Sequence, residues 1–173
     1  NRFGFAVSID GDTALIGSPW DDDQGAFSGS AYIFERDETG NWSDTDKLLA
    51  SDGRANDEFG YSVSLDGNLA VVGAPLHVHD GKKSGSAFVF ERQINGSWHE
   101  TAKLVPSDGA DDDRFAHDVS ISEGAILLGA HWHDPKGERR GAGYLFEIDD
   151  QGNWAETKKF TASDGQGADW FGV

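Results

Sequence analysis

Two kinds of loop in this chain carry side chains able to do chemistry. The first reads Trp20-Asp21-Asp22-Asp23-Gln24-Gly25, then Leu76-His77-Val78-His79-Asp80-Gly81, then Trp132-His133-Asp134-Pro135-Lys136-Gly137, successive copies lying 56 residues apart. Three adjacent carboxylates, Asp21, Asp22 and Asp23, offer hard oxygen ligands to Ca²⁺, which takes about six to eight of them. His77, His79 and Asp80, and likewise His131, His133 and Asp134, offer imidazole and carboxylate to a transition metal such as Zn²⁺. In an extended segment residues two apart point the same way, so each His-x-His would present two rings together. No third and fourth ligand at metal spacing is visible for these histidines. A solvated polar loop tip is the competing reading of all three loops.

The second loop keeps its composition in every copy: Ser51-Asp52-Gly53 to Asp57, Ser107-Asp108-Gly109 to Asp113, Ser163-Asp164-Gly165 to Asp169. One reading places Ca²⁺ between Asp52 and Asp57, Asp108 and Asp113, and Asp164 and Asp169. The other makes the first acid of each pair an Asx turn and the second a cap on the next strand's entrance. Strict recurrence favours the architectural reading. Trp20, Trp132 and Trp170 do not recur in all copies, and rings of this kind stack on sugars or anchor a protein partner. Partly buried loop anchors are their alternative role. Trp42, Trp98 and Trp154 obey the period and read as packing residues. Asn41-Trp42-Ser43 and Asn95-Gly96-Ser97 match the N-glycosylation sequon. Cysteine is absent, and no G-x-S-x-G, H-E-x-x-H or P-loop pattern occurs, so no catalytic residue is assigned.

The elements that position these loops follow from the period itself. Phe3, Phe59, Phe115 and Phe171 are 56 residues apart, as are Trp42, Trp98 and Trp154, and Lys47, Lys103 and Lys159. An array of this period is built from one supersecondary unit that buries its apolar face only by stacking on neighbours. Within residues 59–114, Phe59 to Leu65 alternates apolar and small or polar residues, as a strand does. Asp66-Gly67-Asn68 signals a hairpin, and Leu69 to Gly73 is a strand apolar on both faces. After the longer segment Pro75 to Ser84, Ser86 to Arg92 reads as a third strand and Trp98 to Val105 as a more polar fourth. Four antiparallel strands of rising polarity, repeated in tandem, predict an all-β fold, a β-propeller of four-stranded antiparallel blades. The blades span 3–58, 59–114 and 115–170, with 171–173 opening a fourth repeat and the whole of 1–173 forming one propeller segment. Strand direction puts the second-to-third and fourth-to-next-first connections on one face, and that long-loop face is where binding is expected.

Composition sets the limits. The chain is 37% hydrophobic and 12% aromatic with 23 glycines, which suits a packed all-β core. Its net charge of −17, from 31 acids against 14 bases, disfavours nucleic acid and anionic membrane surfaces as partners. No apolar run is long enough for membrane insertion and no basic-then-apolar leader opens the sequence. Methionine is absent and both ends fall inside the repeat, so the expectation is a segment of a longer polypeptide. Three blades make a partial propeller, completed by remaining blades of the same polypeptide or by a second copy.

Phe59-Gly60 to Gly73-Ala74-Pro75 resembles the signature of the FG-GAP repeats, with Phe3-Gly4 to Gly17-Ser18-Pro19 and Phe115-Ala116 to Gly129-Ala130-His131 as further copies. Gly29 to Phe34 and Gly85 to Phe90 are similar to the strand that follows in bacterial members. The resemblance implies the propeller of integrin α-subunit heads, of about seven blades, and an extracellular or cell-surface role. Integrin blades bind Ca²⁺ through an Asp-rich insert between their first two strands. Here that connection is only Asp10-Gly11-Asp12, Asp66-Gly67-Asn68 or Ser122-Glu123-Gly124, too short to supply the ligands. The function expected is a non-catalytic extracellular module for protein or glycan binding and adhesion, with Ca²⁺ as its one candidate cofactor. A structural role in a multi-chain surface scaffold or filament comes second, and a propeller attached to a hydrolase third.

Overall fold

Strands and turns make up the computed structural model, which describes residues 1–133, 139–165, 169 and 171–172. The first sheet joins β1 (Val7–Asp10), β2 (Thr13–Ser18), β3 (Ser30–Arg36) and β4 (Trp42–Leu48) in that order. The second joins β5 (Ser62–Asp66), β6 (Leu69–Ala74), β7 (Ser86–Arg92) and β8 (Trp98–Leu104). The third joins β9 (Phe115–Ser122), β10 (Ala125–Ala130), β11 (Ala142–Ile148) and β12 (Trp154–Phe160). Within the three sheets every strand pairing is antiparallel between sequence neighbours. The fold is a partial β-propeller of three blades. No helix among the described residues is long and apolar enough to cross a membrane.

The core lies between blades rather than within them. Along β6 and β7, Ala70, Val72, Phe88 and Phe90 pack toward the first blade, whereas Val71, Ala87 and Val89 pack toward the third. A strand buried on both faces has no polar side to present, which is why Leu69 to Gly73 reads as a continuous apolar run. Trp98 closes the first of these interfaces with 6% of its surface exposed, and Trp154 packs against the second. Apolar faces with no blade beside them stay open: Val7 and Ile9 are 68% and 66% exposed, against 9% and 7% for Val63 and Leu65 at the same positions one blade on. At the other end Leu127, Phe160 and Phe171 line an open cleft of about 400 Å³.

The inner strand of the middle blade starts at Ser62, not at Phe59 as the alternation suggests. Gly60 takes the left-handed conformation, φ 88°, and its amide donates to the Gly73 carbonyl at 3.0 Å. That bend sends Phe59 and Gly60 across the first blade, where the Phe59 amide donates to the Ser28 carbonyl at 3.0 Å. The backbones meet so closely that a Cβ on Gly17 would lie 2.0 Å from the Gly60 oxygen, and one on Gly29 would lie 2.0 Å from the Phe59 oxygen. Gly73 and Gly85 repeat these contacts against Ala116 and Phe115. Gly17, Gly29, Gly73 and Gly85 are therefore the places where one blade's backbone rests on the next. On the compact face, the Asp10 and Asp66 carboxylates accept amides of the following blade's hairpin, from Gly67 and Glu123, each at 2.7 Å.

Candidate functional site at the long-loop face

The β2–β3, β6–β7 and β10–β11 connections leave the sheets at the same end as the segments leading from β4 to β5 and from β8 to β9. Within this face one column of the repeat, Asp21, His77 and His133, places a buried polar side chain in each blade. The Asp21 carboxylate accepts hydrogen bonds from Ser30 and Tyr32, both at 2.7 Å, and pairs with Lys47 at 3.2 Å. Burial works to raise this carboxyl, but the hydrogen bonds from Ser30 and Tyr32 and the Lys47 charge outweigh it and bring it down to about 2.

In the middle blade His77 lies 3.3 Å from Asp52 and 3.0 Å from the Ser86 hydroxyl. Asp52 also pairs with Lys103 at 2.7 Å, across the boundary between two blades. Burial holds His77 below the usual histidine range and raises the neighbouring Asp57 carboxyl, whose Oδ2 accepts the Arg54 amide at 2.7 Å. In the third blade His133 Nδ1 donates to Asp113 at 2.9 Å, and Lys159 donates to its Nε2 at 2.7 Å. Lys159 and the Tyr144 hydroxyl also donate to Asp108, whose carboxyl they hold low against the opposing effect of burial. Asp113 Oδ2 accepts the Ala110 amide at 2.8 Å. Asp52, Asp57, Asp108 and Asp113 of the second loop thus work as ion-pair and turn partners. Ser51 and Ser107 complete the link, each giving its amide to a glutamate of the next blade's outer strand, Glu100 and Glu156, at 2.8 Å.

The remaining candidates are dispersed. Asp22 accepts the Phe27 amide at 2.8 Å, and Asp23 pairs with Lys47. His79 and Asp80 sit at the tip of a small turn in which His79 and Lys82 exchange backbone hydrogen bonds of 2.9 Å, apart from buried His77. His131 stands against His117, ring centroids 4.0 Å apart. Burial, then His117 and Arg114, lower His131 to about 4. Asp164 and Asp169 are exposed. Asp134 and Trp170 lie outside the described residues. Among the described residues no group of three or more His, Asp or Glu side chains is arranged to hold a metal ion.

Trp20 and Trp132 are half-buried, and each carries an arginine on its ring. The Arg2 guanidinium lies 3.4 Å from the Trp20 ring centroid, and Arg114 and Arg139 lie 3.8 and 4.5 Å from that of Trp132. Sequence reasoning passed over these arginines. The available signal was the column immediately before the Phe-Gly pair, which reads Arg2, Glu58, Arg114 while the loop column reads Trp20, Leu76, Trp132: arginine occurs where tryptophan does. Also passed over were Ser30, Tyr32 and Ser86, whose hydroxyls meet the buried column, and Tyr144, whose hydroxyl meets Asp108.

Solved structures share this fold. A protein from Lactobacillus plantarum matches with a TM-score of 0.60 and 14% identity, over 92% of this chain and 42% of that one. Sqt1 from Saccharomyces cerevisiae matches with a TM-score of 0.54 and 12% identity, over 95% of this chain and 36% of that one. Sqt1 from Chaetomium thermophilum matches with a TM-score of 0.55 and 14% identity, over 94% and 37%. The chain spans less than half the length of each, and at such identities the likeness is one of fold alone. Among curated proteins no sequence match is found. The profile of the FG-GAP repeat matches residues 1–34, 42–90 and 98–146, which contain Phe3-Gly4, Phe59-Gly60 and Phe115-Ala116. The chain belongs to the FG-GAP repeat family.

Proposed function

We propose that this chain is a non-catalytic, extracellular β-propeller module that binds a protein or glycan ligand at its long-loop face. The observation carrying this reading is that Trp20 and Trp132 are only half-buried at this face and meet arginines rather than the ion pairs that link the blades. Most of the acids at the face are engaged by lysines, hydroxyls and amides, which argues against a free pair of catalytic carboxylates. The family assignment supports a cell-surface setting. Calcium enters this reading through Asp21 to Asp23, where it would compete with Lys47 for the same oxygens.

Trp20→Ala and Trp132→Ala in the full-length protein test the proposal on a glycan array and by pull-down against surface extracts. Loss of binding with an unchanged circular dichroism spectrum and melting temperature is expected. If binding survives in both variants, the long-loop face is not the site. For calcium, EDTA should lower the melting temperature and added Ca²⁺ restore it; an unmoved melt removes the ion from the proposal.

The open apolar faces favour a companion reading for assembly. Val7 and Ile9 at one end, and Leu127 and Phe160 at the other, occupy positions that bury against a blade elsewhere in the chain. We propose that blades of the same kind cover them, from the same polypeptide or a second copy. Light scattering of the full-length protein separates these, since a monomer excludes the second copy and a multi-chain filament.

A further inference from the structure

A line of rings crosses the long-loop face that no single repeat contains. Phe5, Tyr61 and His117 occupy one column of the three repeats, at the bend before the inner strand. Their ring centroids are 4.8 Å apart from Phe5 to Tyr61 and 4.7 Å from Tyr61 to His117. The line continues through His131 to Trp132, whose centroids are 5.6 Å apart. Arginines stand at both ends: Arg2 lies 5.9 Å from the Phe5 ring besides covering Trp20, and Arg114 and Arg139 flank Trp132.

The setting of these arginines differs from that of the chain's ion-paired cations. Arg36, Lys47, Arg92, Lys103 and Lys159 each pair with a carboxylate. Arg2, Arg114 and Arg139 instead lie on aromatic rings at the two ends of this line. The Arg114 Nε, like the Arg92 Nε, is buried without a hydrogen-bond partner. Burial and the nearby Arg114 charge lower the pKa of both His117 and His131. At neutral pH the line therefore consists of uncharged rings bordered by guanidinium forks.

Flat rings take the C–H faces of pyranoses, and a guanidinium grips a carboxylate or sulfate through two parallel N–H bonds. Glu58 falls between Arg2 and Arg114 in their column, where it would accept from hydroxyls and repel an uninterrupted polyanion. An acidic sugar chain offers both hydroxyls and spaced anionic groups. We propose that this line of rings binds an acidic polysaccharide, with Arg2, Arg114 and Arg139 holding its carboxylate or sulfate groups. The inference rests on the ligand-binding reading of the long-loop face and names the ligand class.

The full-length protein is to be titrated with polygalacturonate and heparin, with dextran as the neutral sugar control and poly-L-glutamate as the charge control. Binding to at least one acidic polysaccharide and to neither control is expected, weakening as salt is raised. Arg2→Gln, on an exposed side chain, and the double variant Arg114→Gln with Arg139→Gln should each weaken it about tenfold or more. The Arg2 variant should do so with no change in melting temperature. Equal binding of dextran, lost in Trp132→Ala but kept in Arg2→Gln, overturns the acidic ligand and leaves glycan binding standing. Poly-L-glutamate binding as tightly as the sugars overturns it in favour of an acidic protein. No binding to either acidic polysaccharide overturns it outright, while the tryptophan variants test the broader reading separately.

Discussion

Alanine at Gly40, Gly17 and Gly29 separates two costs that the blade interface combines. Gly40 has φ 89° and nothing within 4 Å of the place a methyl group would take, so Gly40→Ala meets the left-handed backbone alone. That conformation costs a side-chain-bearing residue about 1 kcal/mol. Gly17 has ordinary φ, but its Cβ would lie 2.0 Å from the Gly60 oxygen, where ordinary contact begins at 3.4 Å. Both groups are backbone, so two blades must separate by more than an ångström, and overpacking of this kind costs about 1–3 kcal/mol. Gly29 has φ 84° and a Cβ 2.0 Å from the Phe59 oxygen, so it carries both costs and should lose about 2–4 kcal/mol. Urea unfolding of the full-length variants, followed by circular dichroism, measures all three. Equal losses at Gly29 and Gly40, or a neutral Gly17→Ala, would refute the claim that these glycines exist for contact between blades.

Trp98→Ala, at a residue 6% exposed, should cost about 3–5 kcal/mol in the same assay, whereas Ile94→Ala, on a fully exposed turn, should stay within about 0.5 kcal/mol. Asp21 is lowered to about 2, so its contribution is present above its ordinary value of 3.8 and is lost as pH falls from there through 2. Asp21→Asn should flatten the acid limb of the stability curve over that window, and an unchanged limb would remove Asp21 from the account. His131 titrates near 4 when folded against 6.5 unfolded, so below pH 6.5 the unfolded chain binds more protons and stability falls toward pH 4. A His131 ring titrating near 6.5 by NMR would contradict its burial against His117 and Arg114.

Much of the fold was legible in the sequence because blade structure is local and repeated. Strand β7 runs from Ser86 to Arg92, the span its apolar and aromatic pattern indicates, since alternation and turn chemistry act within a few residues. The start of β5 was not legible. Whether Phe59 and Gly60 extend the strand or bend away depends on a neighbouring backbone that only stacking brings near. The site divides along the same line. Recurrence points to Asp52 and Asp108 as parts of the blade's construction, and the lysines they meet, Lys103 and Lys159, recur with them. Position 77 was harder. His-x-His suggests two rings side by side, but His77 is drawn inward by Asp52 and Ser86 while His79 remains at the loop tip.

The sequence by itself determined the period, the four strands of each blade, the turns between them and the columns where glycine must stand, since each follows from backbone conformation and from the burial of alternating residues. Only the tertiary structure decided which side chains meet across the blades. The Asp52 to Lys103 pair, the rings of Phe5, Tyr61 and His117, and the arginines on Trp20 and Trp132 join residues far apart in the chain. Their meeting depends on how one sheet lies against the next, and no local pattern encodes that geometry.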